Sequence, residues 1–287
     1  MDKKKILIQL DSYAQPSAFD RVVAIDAGVD ELFSYGNVQL DQIRGLVHGA
    51  IFTRKPSDLK CTAIFVGGSD VALGEKMLAE AAKSLLPFLK VSLMLDSNGA
   101  NTTAAAAVRV AGKHLALKGA KALVLGGTGP VGQRVARLLA LEGAEVRVGS
   151  RQKARAENVC EEIAKRLPGA KLTSVATASS GDVAAAMADQ ALVVAAGAAG
   201  TVLLPQSIRA TAKDLKVAID LNAVPPLGID GIDVMDKAAV KDGLIAYGAI
   251  GVGDLKMKLH RAAIAKLFEK NDQVLDAEEI YGLAQGM

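Results

Sequence analysis

The segment Gly127-Thr128-Gly129-Pro130-Val131-Gly132 carries glycines at G-x-G-x-x-G spacing. It follows an apolar run, Lys121 to Leu125, and opens a periodic one, Val131 to Leu141. A strand, a glycine turn and a helix in that order form a dinucleotide-binding unit. Gly127 is expected to permit the tight turn and Gly129 to let the backbone approach a pyrophosphate. Gly132 is expected to let helix and strand pack closely, while the helix N-terminus offers amides to the phosphates. The next strand ends Val146-Arg147-Val148-Gly149-Ser150-Arg151. It lacks the carboxylate that would hold a ribose 2′-OH. A hydroxyl and a guanidinium, with Lys153 and Arg155 behind them, suit a 2′-phosphate instead. The expected cofactor is NADP, held by Ser150, Arg151 and Lys153, with NAD as second choice. Small residues Ala196 and Gly197 end a later strand, where a nicotinamide riboside could lie against the backbone. Asn222 ends another, beside cofactor or substrate. The competing roles are a plain glycine turn, a solvated basic helix start and, for Asn222, a turn residue.

A second group of residues carries acids and amides. Asp20 stands three residues after Ser17 at a helix start, and Asp96 ends a strand before Ser97-Asn98-Gly99. Asn98, Asn101 and Thr102 could hydrogen-bond a heterocycle. Lys256 and His260 are four apart and share one helix face, suited to binding. Each has a structural competitor: capping for the aspartates, turn chemistry for the amides, an exposed polar face for the last pair. His48 and His114 are isolated and read as structural. Cys61 and Cys160 form no metal-ligand spacing, and no metal is expected.

These residues need elements to hold them. Short Val/Ile/Leu runs alternate with longer Ala/Leu-rich periodic runs, the pattern of an α/β protein with mostly parallel sheets. Strands are expected at Ile6 to Leu10, near Ala50 to Thr53, at Ala63 to Val66 and at Val91 to Leu95. A helix over Val71 to Leu86 opens on Ser69 or Asp70 and stops at Pro87. A connecting helix runs from about Ala104 to Leu117. The second unit reads as strands at Lys121 to Leu125, Glu145 to Val148, Leu172 to Val175, Leu192 to Ala195 and Val217 to Leu221. Helices over Val131 to Leu141 and Ala154 to Leu167 lie between the first of them. Asp254 is expected to cap a helix over Leu255 to Phe268, and a last helix covers Ala277 to Ala284. The fold expected is an N-terminal α/β substrate domain, residues 1–105 with the returning C-terminal helices 251–287. A doubly wound Rossmann-type domain occupies residues 106–250.

Composition narrows the class. The 287 residues are 51% hydrophobic, 23% charged and only 3% aromatic, with no Trp and a net charge of +3. Nucleic-acid binding by aromatic stacking or a global basic field is not expected. The start, Met1-Asp2-Lys3-Lys4-Lys5 and a very short apolar run, is too brief for a signal peptide. No stretch approaches the ~18 apolar residues of a membrane span. A reducing cytoplasm fits.

Several segments together resemble a known family. They are Asp11 with Pro16-Ser17-Ala18-Phe19-Asp20, Tyr35-Gly36-Asn37-Val38, Ala63-Ile64-Phe65-Val66-Gly67-Gly68 and Met94-Leu95-Asp96-Ser97-Asn98-Gly99 with Asn101-Thr102-Thr103. The glycine motif, Pro225-Pro226-Leu227-Gly228-Ile229 with Gly231-Ile232-Asp233, and Leu255-Lys256-Met257-Lys258-Leu259-His260-Arg261 complete the set. The chain resembles the methylene-tetrahydromethanopterin dehydrogenases of methylotrophic bacteria over nearly its whole length. The resemblance implies NAD(P)-linked oxidation of a methylene-tetrahydropterin C1 carrier to the methenyl form. It also implies a soluble homo-oligomer, a trimer or hexamer. In that reaction a hydride leaves a carbon flanked by two nitrogens and a cation forms, so no proton moves. A carboxylate near that cation would help, and Asp20 and Asp96 are the candidates. Asn98, Asn101, Thr102, Lys256 and His260 would bind the pterin. Methylene-tetrahydrofolate dehydrogenation, a shikimate- or quinate-type dehydrogenase and a non-catalytic NADP-binding regulator are the alternatives.

Overall fold

A computed structural model describes residues 3–287. Met1 and Asp2, the first residues of the basic start, lie outside the described residues. The chain divides into two compact units, Met1–Thr102 with Met257–Met287, and Thr103–Lys256.

The first unit is a parallel sheet of β1 (Ile6–Leu10), β2 (Glu31–Tyr35), β3 (Thr62–Val66), β4 (Ser92–Leu95) and β12 (Val274–Leu275). Its strand order is β12-β4-β3-β1-β2. Helix α1 (Ala18–Asp26) links β1 to β2, and α2 (Ile43–Ile51) and α3 (Val71–Ser84) follow. Strand side chains alternate between faces. Ile8, Leu10, Ile64, Val66, Leu93 and Leu95 point to one face and pack with Ile43, Val47 and Ile51 of α2 and Met77 of α3. On α3, Asp70 is the cap: its Oδ1 accepts the Leu73 amide at 2.9 Å.

Three sequence expectations change here. Ala50 to Thr53 is not a strand: Ala50 and Ile51 close α2, and Phe52 and Thr53 follow it. Ile43, Val47, Ala50 and Ile51 make one buried stripe at helical spacing, whereas the second strand is the mixed edge segment β2. Helix α4 (Ala100–Gly112) starts earlier than Ala104 and ends before Leu117. Helix α9 (Ala249–Lys266) starts before Asp254, which is an exposed residue inside it, paired with Lys237. Gly248 and Gly251 bring this helix start against the backbone of residues 233–237. A Cβ on Gly251 would sit 2.8 Å from the Asp236 carbonyl carbon. Those glycines serve close packing rather than a loop.

The second unit is a seven-stranded sheet in the order β10-β11-β9-β8-β5-β6-β7. The parallel part comprises β5 (Lys121–Leu125), β6 (Glu145–Ser150), β7 (Lys171–Ala176), β8 (Leu192–Ala195), β9 (Val217–Asp220) and β11 (Leu244–Tyr247). Only β10 (Lys237–Lys241) runs antiparallel, closing a hairpin onto β11. Helices α5 (Pro130–Leu141), α6 (Lys153–Arg166) and α7 (Ser180–Met187) alternate with the first strands, and α10 (Ala277–Ala284) is the last helix of the first unit. The order reverses between β5 and β8, which in a doubly wound sheet creates a crevice at the strands' carboxyl ends.

Candidate functional site

A cavity of about 600 Å³ opens at that crevice in the second unit. The turns after β5, β6, β7 and β8 all contribute to it. From the glycine motif, Thr128, Gly129 and Pro130 line it, and Gly129 is the N-cap of α5. The helix thus presents its N-terminal end to the cavity, where anions are favoured. Gly127, Val131 and Gly132 lie beneath. A Cβ on Gly127 would come 2.7 Å from Val148, and one on Gly132 would come 2.8 Å from the Gly127 Cα.

The tight turn belongs to Gly126, not Gly127. Gly126 has φ +68°, and a Cβ there would lie 2.5 Å from the Gly197 Cα. Left-handed backbone is what glycine allows without penalty. The Gly126-Gly127 doublet at the end of β5 was the available signal. Gly126→Ala is expected to cost about 1–3 kcal/mol and to abolish tight dinucleotide binding. Thermal unfolding and NADP titration calorimetry check this; unchanged affinity would refute it.

Ser150 and Arg151 line the cavity, and so does Arg155, one helical turn on. Both guanidiniums are on exposed residues. Ser150 is buried, and its Oγ accepts the Gln152 amide at 3.2 Å. No Asp or Glu is among the lining residues. Lys153 is not among them either; its ammonium lies 3.8 Å from Glu157. Ala196 and Gly197 form the opposite wall. Thr177, Ser179 and Ser180, after β7, also line the cavity and were not singled out from sequence. They sit on the third strand's loop, for which no motif exists. A cavity of this size, with glycine backbone, a helix N-terminus and paired guanidiniums, fits a dinucleotide.

Asn222 does not line the cavity. Its Oδ1 accepts the Val224 amide at 3.0 Å and its Nδ2 donates to the Pro226 carbonyl at 3.3 Å, so it builds a turn. The turn is anchored by Asp220, whose carboxylate accepts the amides of Asn222 at 3.0 Å and Ile229 at 2.8 Å. Burial raises the Asp220 pKa above the ordinary carboxylate range, with those amides opposing. Folding therefore favours its protonated form. Its contribution is favourable below the unfolded pKa and is lost as pH rises through the elevated value. Relative to the natural chain, Asp220→Asn should gain Tm as pH is raised from about 4. A pH-independent Tm difference would contradict this.

In the first unit, Asp20 lies in the first turn of α1, with its amide donating to Ser17 Oγ at 3.2 Å. It is 9% exposed. A Cβ on Gly67 would lie 3.3 Å from its Oδ2. Gly67 follows β3 and Asp11 follows β1, the strands between which this sheet's order reverses. Asp20 thus stands near the carboxyl end of β3, beside Gly67.

Asp96 does not. It has no exposure; Oδ1 accepts the Asn101 and Thr102 amides at 2.9 and 3.0 Å, and Oδ2 accepts Thr102 Oγ1 at 2.7 Å. The first amides of a helix need acceptors, and Asp96 supplies them to α4. Asn101 and Thr102 are buried with it; Asn101 Nδ2 donates to the Leu95 carbonyl at 2.6 Å and to Asp276 at 2.8 Å. All three are corrected from reaction or substrate contact to positioning of this helix start. His260 is likewise fully enclosed, its ring stacked on Phe65 with centroids 5.8 Å apart and Nδ1 3.8 Å from Asp96. Asn98 stays exposed, in left-handed backbone with φ 54°, and Lys256 is half-buried on α9. His114 Nε2 meets the Tyr247 hydroxyl at 2.8 Å, and His48 packs edge-on against Phe52. Among the described residues no cluster of His, Cys, Asp or Glu could hold a metal, and no helix is long and apolar enough to cross a membrane.

Comparison with known proteins agrees with this geometry. Residues 18–98 match the family described as methylene-tetrahydromethanopterin dehydrogenase, N-terminal, and residues 126–280 match an NAD(P)H-binding family. The "Bifunctional protein MdtA" of Methylorubrum extorquens is 47% identical over 286 residues, covering 99% of each chain. The "NAD(P)-dependent methylenetetrahydromethanopterin dehydrogenase" of the same organism is 33% identical, covering 98% of each. Among solved structures, a quinate dehydrogenase from Corynebacterium glutamicum superposes with a TM-score of 0.57 at 13% identity, covering 99% of this chain and 100% of that one. A shikimate 5-dehydrogenase from Listeria monocytogenes gives 0.57 at 15% identity, covering 98% and 96%. The two structures share the fold. The full-length relatives share more, and this chain belongs to the methylene-tetrahydromethanopterin dehydrogenase family of NAD(P)-dependent oxidoreductases.

Proposed function

We propose that this protein transfers a hydride from N5,N10-methylene-tetrahydromethanopterin to NADP, giving the methenyl form. The observation that carries the reading is near-full-length identity to a relative named for that substrate, 33% over 98% of the chain. NADP rather than NAD is supported by Ser150, Arg151 and Arg155 at a cavity without a lining carboxylate. Bound NADP supplies the hydride acceptor; the protein's task is to orient the donor carbon and stabilise the cation it leaves.

Asp20 is the group assigned to that cation. Its carboxylate is buried enough to act in reduced dielectric, and it stands near the carboxyl end of β3. Asn98 and Lys256 are assigned to substrate binding away from the reacting carbon, because a second cation beside the product would oppose its formation. The protein works in the cytoplasm as a homo-oligomer in this reading. The exposed Phe33 and Tyr35 on edge strand β2 support self-association, since such edges are otherwise blunted.

The test is spectrophotometric. Methylene-tetrahydromethanopterin and methylene-tetrahydrofolate are each supplied with NADP or NAD, and methenyl product and reduced cofactor are followed. Turnover of the first carrier with NADP is expected. Turnover of only the folate carrier would replace the substrate, and NADP binding without any turnover would make the protein a sensor. Light scattering checks the oligomer.

A further inference from the structure

Gln9 lies on β1 and is 1% exposed. Its Oε1 accepts the Ser34 hydroxyl at 2.8 Å, which pins the amide plane. Its Nε2 is buried and has no hydrogen-bond partner. A buried donor left unmade is costly, and native interiors keep few of them. This one faces a particular place. A Cβ added to Gly67 would lie 3.7 Å from Gln9 Nε2, 3.3 Å from Asp20 Oδ2 and 3.0 Å from Phe65 Cε1. The three side chains therefore meet beside Gly67, whose lack of a side chain leaves them uncrowded there. The place is the carboxyl end of β1 and β3, where the order of the five-stranded sheet reverses.

We propose that Gln9 is a substrate-binding residue whose Nε2 donates to the lactam carbonyl oxygen of the pterin ring. The proposal rests on the tetrahydropterin reading above. In a reduced pterin that carbonyl is peri to N5, one of the two nitrogens flanking the reacting carbon. A donor to the carbonyl and a carboxylate beside the N5 cation must then be neighbours. Gln9 Nε2 and Asp20 Oδ2 are placed as such neighbours, 3.7 and 3.3 Å from where a Gly67 Cβ would sit. The Phe65 ring edge supplies apolar contact in a chain with few aromatics. The lactam is common to tetrahydromethanopterin and tetrahydrofolate, so Gln9 serves both carriers alike and does not choose between them.

The test variant is Gln9→Met, which keeps an unbranched side chain of similar length and removes the donor. KM for methylene-tetrahydromethanopterin and for methylene-tetrahydrofolate should rise by the same factor, about three- to tenfold for one neutral hydrogen bond. KM for NADP and kcat should stay within about twofold, and Tm should change little, because loss of the acceptor for the Ser34 hydroxyl offsets removal of an unmade donor. Gln9→Glu, which sets a carboxylate against the carbonyl and Asp20, should raise the pterin KM further. A fall in Tm with both pterin KM values unchanged would make Gln9 structural and overturn the proposal. Calorimetric titration of wild type and Gln9→Met with each tetrahydropterin, without NADP, separates this from the dehydrogenase reading. Wild type that binds a tetrahydropterin without turnover ends that reading, while weaker binding by Gln9→Met still upholds the proposal. Wild type that binds neither carrier overturns both.

Discussion

Asp20→Asn is expected to lower kcat about a hundredfold, the scale on which one electrostatic stabiliser of a transition state is removed, with KM for NADP and Tm nearly unchanged. The loss follows from the reaction. Hydride departure leaves a positive charge shared by two nitrogens, and a carboxylate interacts with that charge only as it develops. At an effective dielectric of about 20 a unit charge pair 4 Å apart is worth about 4 kcal/mol, and the part specific to the transition state appears in kcat. Asparagine retains the shape, and the helix start retains its Ser17 cap. Removing the charge from the first turn of α1 costs about 0.3–1 kcal/mol. Asp96→Asn is the control. Asp96 holds two amides and a hydroxyl at the start of α4, so its replacement should lower Tm. Measured side by side, a Tm loss for Asp20→Asn without a kcat loss would return that residue to capping.

Arg151→Asp should raise KM for NADP by about a hundredfold or more while leaving KM for NAD within a few-fold, since a guanidinium–phosphate contact is lost and a like charge is set against the phosphate. Arg151, Arg155 and Ser150 all line the cavity, and the Ser150 Oγ accepts the Gln152 amide. NAD has a hydroxyl at that position, which an aspartate can accept from, so the two cofactors should move in opposite senses. Arg155→Ala should give the same preference in weaker form. Equal KM changes for both cofactors would place these residues on solvated surface and leave NADP selection to another part of the cavity.

Much of the second unit was legible because its signals are local. The strand Lys121–Leu125, the glycine turn and the helix after it lie within one short stretch, and their order carries the dinucleotide site. The hairpin from β10 to β11 has a local signal too: Asp242 and Gly243 both have positive φ, the two-residue turn that an Asp-Gly pair favours. In the first unit the cue misled. Ala50 to Thr53 resembles a buried strand on its own apolar residues, and the preceding Ile43 and Val47 give the helical period.

The alternating α/β plan, the cofactor motif, the basic residues after the second Rossmann strand and the family are all legible in the amino-acid sequence. Each depends on neighbours along the chain or on whole-length similarity. The tertiary structure decided which polar residues are available. Asp96, Asn101, Thr102 and His260 have the right types for a pterin site, yet the first three are buried in helix-start hydrogen bonds and His260 is enclosed against Phe65. Gln9 had no motif and sits inside an apolar strand, yet its unmade donor beside Gly67 marks it as available. Burial and hydrogen-bond satisfaction are set by residues distant in sequence, such as Ser34 for Gln9 and Asp276 for Asn101. No spacing rule within one segment contains them.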